Sequence, residues 1–305
     1  MFAARSLVVC LALFWVMYTA LSCLTGAAWS AGQRLLRRQV LVSPSALFGI
    51  RILPFAFSAL FAVFFTLPSF WLMERKSLDE DATTFVLAIC ALLLLCAGVL
   101  RALKASRLTG RMVSQWLSKP GKGSEPSTLS AAEGAPALLL VGICRPKVMI
   151  SDAAMAALSE NELRVAVGHE LGHRRSWDNL KKLMINAIPF PGMSGIERSW
   201  REAAELAADD SAAKTRRDAL DLASALIKLS RHANRWTEPE TASAFVCGSS
   251  AVAMRVQRLL EARSSTRIPG RWPWALLFLL ITTAIVSNYS TVLVLTHRLT
   301  ELVVP

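Results

Sequence analysis

The strongest chemical signal in the sequence is the pentapeptide His169-Glu170-Leu171-Gly172-His173, which has the form H-E-x-x-H. Residues four apart share one face of an α-helix, so both imidazoles can bind a single metal ion. A Zn²⁺ ion lowers the pKa of a bound water to about 7, and Glu170 is near enough to handle the proton of that water. The motif therefore predicts one zinc ion with Glu170 as the catalytic residue. The alternative is a pair of solvated histidines on a helix.

A catalytic zinc site needs a third protein ligand, and two histidines with one glutamate form a known set. The acidic residues downstream of the motif are Glu202, Glu205, Asp209 and Asp210. We expect Glu205 to bind the metal, because Asp209 follows one helical turn later and can accept a hydrogen bond from a ligand imidazole. Leu206 occupies the equivalent position after Glu202 and cannot do so. The alternative is an acidic stripe on a helix surface.

Two further polar residues are weaker candidates. His232 is a candidate oxyanion stabiliser, although Arg231 and Arg235 beside it favour a solvated helix face. Asp178 is expected to have a structural role, either by orienting the motif helix or by pairing with Arg174. Neither residue is needed to complete the predicted zinc site.

The elements that carry these residues are predicted to be mostly helices. Ser159 and Glu162 have capping-box spacing and open a helix through Leu171. Ser194 and Glu197 repeat that spacing and open the helix that carries Glu205. Further helices are expected over 217–235 and 250–262, strands over 137–141 and 147–150, and a loop over 188–195.

The composition indicates a membrane protein. Of the 305 residues, 53% are hydrophobic and only 18% are charged, whereas about a quarter are charged in typical soluble proteins. Four runs contain no Asp, Glu, Lys or Arg, and they cover residues 6–33, 52–73, 82–100 and 272–296. Each approaches or exceeds the roughly 20 residues that cross a bilayer as a helix. The first run is too long for a cleaved signal sequence, so it is expected to be retained.

The net charge of +12 is distributed as a topology signal. Arginines follow the first uncharged run, and acidic residues outnumber basic ones after the second. Basic residues lie just after the third run and just before the fourth, at the two ends of the central domain. Because basic residues mark the cytoplasmic side, we expect the N-terminus outside, the central domain in the cytoplasm and the C-terminus outside. Direct binding of nucleic acid is not expected.

These signals divide the chain into three parts. Residues 1–100 form a three-span membrane region, residues 101–271 a cytoplasmic zinc metallopeptidase domain, and residues 272–305 a fourth span with a short outer tail. Within the domain, residues 101–118 are predicted to form a basic juxtamembrane helix and residues 119–135 an exposed loop.

Several segments together resemble the BlaR/MecR family of integral-membrane zinc metallopeptidases. They are Gly142–Pro146, Val148–Ile150, Leu158–Glu162, His169–His173 and Asp178–Leu180. The stretch Glu205-Leu206-Ala207-Ala208-Asp209-Asp210 is similar to the ligand-glutamate helix of that family, although a cysteine commonly stands where Ala208 does. Arg255-Val256 with Leu259-Leu260 is similar to its later helix. The three spans before the domain and one after it also fit.

The resemblance implies a mainly α, gluzincin-type metallopeptidase domain in the bacterial cytoplasmic membrane. It implies regulated cleavage of a cytoplasmic or membrane-proximal protein, for example a transcriptional repressor. The best-known members of that family carry an extracellular penicillin-binding sensor after the last span; we expect none here, so antibiotic sensing cannot be carried over to this chain. One alternative is an HtpX/Ste24-type quality-control protease, which shares the His-Glu-Leu-Gly-His form but usually has a Pro-Asn-Ala-Phe-like segment upstream. Another is a non-catalytic membrane protein that retains a metal site; the presence of Glu170 argues against it.

Overall fold

The computed structural model describes residues 2–35, 42–73, 82–116, 128–131, 137–143, 146–231, 243–244, 249–261 and 287–303. These residues are mainly helical, which confirms the predicted class. The chain divides into two compact units. The first, here the membrane unit, comprises Met1–Gly98, Ile188–Glu197 and Arg267–Pro305, and the second, here the metal unit, comprises Val99–Ala187 and Arg198–Thr266.

The membrane unit is built from long apolar helices. They are α1 (Phe2–Leu35), α2 (Pro44–Phe61), a π-helical turn (Ala62–Thr66), α3 (Leu67–Met73) and the first part of α4 (Ala82–Trp116). Three segments are long and apolar enough to cross a membrane, namely Ala3–Leu35, Pro44–Met73 and Ala82–Gln115. They coincide with the first three predicted spans. Most of the predicted fourth span lies outside the described residues, which resume before helix α11 (Tyr289–Val303).

The juxtamembrane helix predicted over 101–118 is not a separate element. Helix α4 runs without a break from Ala82 to Trp116, so the basic segment continues the third apolar helix. No proline lies within these 35 residues to interrupt the helix. The boundary drawn at residue 100 therefore marks a change of composition rather than a change of secondary structure.

In the described part of the metal unit, a four-stranded sheet follows the end of helix α4, which enters this unit at Val99. Its strands are β1 (Thr128–Ala131), β2 (Leu138–Val141), β3 (Lys147–Ser151) and β4 (Ser243–Ala244), in the order β1-β3-β2-β4. β2 pairs antiparallel with β3 and β4, whereas β1 pairs parallel with β3. The two predicted strands are confirmed. β1 corrects the predicted 119–135 loop at residues 128–131, and the rest of that loop lies outside the described residues. This short strand pairs with β3, about 20 residues later, and has no local signature of its own.

Besides the end of α4, the described residues of the metal unit form six helices: α5 (Asp152–Ala157), α6 (Glu160–Arg175), α7 (Asp178–Ala187), α8 (Ser194–Ala212, from Arg198 onward), α9 (Arg216–Ser230) and α10 (Ser249–Leu260). The predicted capping box of Ser159 and Glu162 is confirmed. One face of β2 and β3 packs against α6, and α9 and α10 contribute to the same hydrophobic core. The buried core there includes Leu138, Leu140, Val148, Ile150, Val165, Leu222, Leu226, Val252 and Leu259.

The close approach of α6 and α8 depends on glycine. A Cβ atom at Gly172 would lie 3.2 Å from the Cα of Ala208 and 2.5 Å from the Oγ of Ser211. Without a side chain at Gly172, the helix carrying the histidine motif can lie directly against the helix carrying Glu205.

Candidate metal centre

The two motif histidines lie on the same face of α6, as their spacing requires. Both are buried, and their Nε2 atoms are 3.1 Å apart. Their ring planes are nearly perpendicular, with the centroids 4.8 Å apart. This arrangement directs the same nitrogen of each imidazole to one point.

Helix α8 brings the carboxylate of Glu205 to that point. Glu205 Oε2 is 3.5 Å from His169 Nε2, and Glu205 Oε1 is 3.4 Å from His173 Nε2. Potential ligand atoms of the three residues all lie within 4.8 Å of one another. Glu202, the alternative ligand, is exposed on the same helix and is not part of this group. The three side chains could therefore hold one metal ion.

Each histidine has its own carboxylate partner on the other ring nitrogen. Asp209 Oδ1 lies 2.9 Å from His169 Nδ1, and Asp178 Oδ2 lies 2.7 Å from His173 Nδ1. Such partners fix the tautomer and the ring orientation of ligand histidines. Asp178 thus contacts a histidine of the motif helix, in agreement with the expectation that it orients this helix, and its cationic neighbour is Lys181 rather than Arg174. It begins helix α7, whose second residue, Asn179, donates hydrogen bonds to Leu140 O and Gly142 O.

Arg255 of α10 is a residue of the site that the sequence analysis did not identify as functional. It is only 3% exposed. It donates hydrogen bonds to both carboxylate oxygens of Asp209, from Nε at 2.8 Å and from Nη2 at 2.6 Å. Its Nη1 is 2.9 Å from Glu205 Oε2. A signal was available, because Arg255 interrupts the apolar stripe of Val252, Val256 and Leu259, which has the spacing of a buried helix face.

Glu170 is buried completely beside the two histidines. Within the part of the chain that the structure describes, neither of its carboxylate oxygens has a hydrogen-bond partner. Burial raises the pKa of Glu170 to about 7, and the nearby histidines reduce that increase. Leaving a buried carboxylate without partners is costly, so the position demands an explanation other than folding.

The charges around the site fit a divalent cation. Burial alone would raise the pKa values of Glu205 and Asp209, but the histidines and Arg255 outweigh it and hold both below their usual range. Both side chains are therefore anionic at neutral pH. Two imidazole nitrogens and one carboxylate, with Glu170 nearby, match the donor set that Zn²⁺ takes in catalytic sites. The residues present thus fit a zinc ion.

His232, the predicted oxyanion candidate, lies outside the described residues. The described part of the metal unit offers another cation close to the ligands, Arg255, although its contacts are with carboxylates. The oxyanion-stabilising residue therefore stays a prediction.

A comparison with protein-family models gives a match over the part of the chain that contains this site. The model of peptidase family M48 matches residues 140–266, which include the histidine motif, Glu205 and Arg255. Peptidases of this family are zinc-dependent. The match supports the M48 metallopeptidase family for this part of the chain, whereas the BlaR/MecR-like assignment is not confirmed. No curated protein matches the chain. With three apolar helices long enough to cross a membrane, these findings indicate a membrane-associated metallopeptidase.

Proposed function

We propose that this protein is a membrane-bound zinc endopeptidase in which His169, His173 and Glu205 bind one zinc ion. The observation that carries the proposal is the meeting of three ligand side chains beside Glu170, a buried carboxylate without a hydrogen-bond partner in the described residues. A site that only bound metal would not need this fourth group. Its burial cost is understandable if substrate and water provide its partners during the reaction.

Each residue of the site has a separate task in peptide hydrolysis. Zinc, when bound, supplies a Lewis acid that activates water and polarises the scissile carbonyl. Glu170 takes a proton from the attacking water and later donates it to the leaving amine, and its pKa of about 7 suits both steps near neutral pH. Asp209 and Asp178 hold the two imidazoles in the orientation and tautomer that a metal requires.

The distribution of arginines supports a location for the peptidase on the cytoplasmic face of the bacterial inner membrane. With both termini outside and four spans, the substrate would be a cytoplasmic or membrane-proximal protein. Cysteine labels near Arg37 or in the 119–135 segment should then be shielded from the exterior, and labels near Asp79 or the C-terminus should react from outside. The reverse pattern would exclude cytosolic substrates.

Within this activity, regulated signalling is our first choice, with a transcriptional repressor as one candidate substrate, because of the resemblance to the BlaR/MecR family. Quality control of membrane proteins is the second candidate, and the match to peptidase family M48 favours neither role. The two roles can be distinguished by identifying the substrates. A Glu170→Gln variant in native membranes, captured with its bound proteins and analysed by mass spectrometry, should retain one or a few regulators in the first case. It should retain many unrelated or misfolded membrane proteins in the second.

The basic activity is tested by comparing Glu170→Gln with wild type and with Glu202→Gln, an exposed glutamate of α8. Glu170→Gln should keep one zinc ion per chain and lose proteolysis, because Glu170 moves protons and does not bind metal. Glu202→Gln should keep both. Loss of zinc in Glu170→Gln would contradict the assigned role, and retained proteolysis would refute the proposed chemistry.

A further inference from the structure

A buried arginine in the second apolar helix holds the segment that precedes the Glu205 helix. Arg51 of α2 is 1% exposed, and its Nε donates to Glu197 Oε1 at 2.8 Å. Its Nη2 donates to the carbonyl oxygen of Ile188 at 2.5 Å. One guanidinium thus binds both ends of the 188–197 segment, which belongs to the membrane unit.

The rest of that segment also lies against the membrane helices. Phe190 packs edge-on against Tyr18, with ring centroids 5.3 Å apart. Gly192 has a φ of +93°, and a Cβ atom built at Gly26 of α1 would lie 3.1 Å from the Gly192 carbonyl oxygen. Met193 and Ile196 are fully buried. The segment is therefore a fixed part of the membrane unit.

Helix α8 connects this fixed segment to the proposed metal ligand Glu205. It begins at Ser194 and continues to Ala212, so Glu197 lies in its first turn and Glu205 lies eight residues later. At 1.5 Å per residue, the two carboxylates are about 12 Å apart along the axis. No glycine or proline stands between them. A bond that fixes the first turn therefore also limits the rotation and translation of the helix at Glu205.

We propose that Arg51 is a positioning residue for the metal ligand Glu205, acting through Glu197 and helix α8. The inference rests on the proposed zinc site. Charged residues within membrane segments are costly and are retained where they serve a function. Apolar packing could hold helices together without that cost, whereas a guanidinium with two directed hydrogen bonds fixes one helix register.

The test measures the metal site rather than proteolysis. Full-length protein in detergent or nanodiscs, stripped of metal, is titrated with Co²⁺ while the visible absorption bands of the bound ion are recorded. We expect Arg51→Met and Glu197→Gln each to weaken Co²⁺ binding about tenfold, the low end for loss of a ligand's outer partners. Both should alter the Co²⁺ spectrum. The double variant should bind no more weakly than the worse single variant, because both changes break one connection.

The control is Arg164→Met, which removes a more exposed arginine–carboxylate pair of similar length, 2.7 Å to Asp218, from the motif helix itself. It should leave Co²⁺ affinity and spectrum as in wild type. Unchanged binding in both Arg51→Met and Glu197→Gln would overturn the inference, and so would an equal loss in Arg164→Met. If Arg51→Met fails to fold, Glu197→Gln alone decides. Failure of the proposed zinc site looks different: wild type would bind no Co²⁺, or His169→Ala would bind it as well as wild type.

Discussion

Helix α6 buries two glutamates, eight residues apart, in opposite surroundings. Glu162, near its start, accepts hydrogen bonds from Ser159 N at 2.8 Å, Ser224 Oγ at 2.6 Å and Lys228 Nζ at 2.7 Å. Glu170 has no such partner among the described residues. Burial would raise the pKa of Glu162, but these hydrogen bonds outweigh it and lower the pKa to about 2. Burial raises the pKa of Glu170 to about 7.

The difference separates a carboxylate used for folding from one available for chemistry. A buried charge that is fully hydrogen-bonded stabilises the native state and cannot exchange a proton near neutral pH. A buried carboxylate without partners costs stability, yet its pKa lies where a general base and acid is needed. On one helix, therefore, burial alone does not distinguish the proposed catalytic glutamate from a structural one, whereas the hydrogen-bond partners do.

The largest expected effect is on catalysis by the two glutamates. Glu170→Gln should lower kcat by about 10²–10⁴-fold, the usual contribution of a general base, with no loss of thermal stability. Glu162→Gln should leave kcat per folded molecule near wild type and reduce stability. Single-turnover proteolysis and thermal unfolding of both variants check this. A loss of stability in Glu170→Gln together with a loss of kcat in Glu162→Gln would contradict the roles assigned to the two glutamates.

Metal content should distinguish the ligand from its neighbours on α8. Glu205→Ala should lower zinc affinity by more than about 100-fold, beyond the range for residues that only orient ligands. Asp209→Ala should cause a partial loss, and the exposed Glu202→Ala should bind like wild type. Metal analysis after dialysis against a competing chelator is the measurement. A metal-free Glu202→Ala protein would show that the proposed register of α8 is wrong.

The stability that Glu162 contributes should depend on pH. Because its pKa is lower in the folded than in the unfolded protein, the contribution is complete above about pH 4.5 and disappears as the pH falls toward 2. The lower pKa of Glu162 in the folded protein corresponds to about 3 kcal/mol of stability. Glu162→Gln should abolish that dependence, as followed by denaturant unfolding at several pH values. Glu160→Gln, an exposed change in the same helical turn, is the control and should alter stability by less than about 0.5 kcal/mol.

A smaller effect is expected at Asp178, where a carboxylate orients a ligand histidine. Asp178→Asn should reduce zinc affinity about 10–100-fold, because the Nδ1 proton of His173 would face a neutral amide instead of a carboxylate, which makes the imidazole a weaker ligand. Asn179→Ala, the neighbouring change, removes the hydrogen bonds to Leu140 and Gly142 without touching a ligand. It should leave zinc affinity close to wild type. Equal losses in both variants would mean that Asp178 acts by anchoring α7 rather than through His173.

Much of the local structure could be predicted because it depends on neighbours in the sequence. The capping box at Ser159, the strands β2 and β3 and three apolar segments all have short-range signatures, and each is confirmed. β1 could not be predicted, since four residues with mixed polarity form a strand only where β3 offers hydrogen bonds. The continuity of α4 was missed for a related reason, because a change in composition is no barrier to helix formation.

The candidate site shows the same division. The sequence by itself predicted that His169, Glu170 and His173 lie together, because residues three and four apart on a helix are neighbours on its surface. The residues that surround this group were decided by tertiary packing. The turn into α7 brings Asp178 to His173, and α10 brings Arg255 to Glu205. The missing side chain of Gly172 lets α8 lie close to α6. The bond from Arg51 to Glu197 joins residues 146 apart. Helical periodicity reaches only a few residues along the chain, so contacts between distant segments are fixed by the tertiary structure alone.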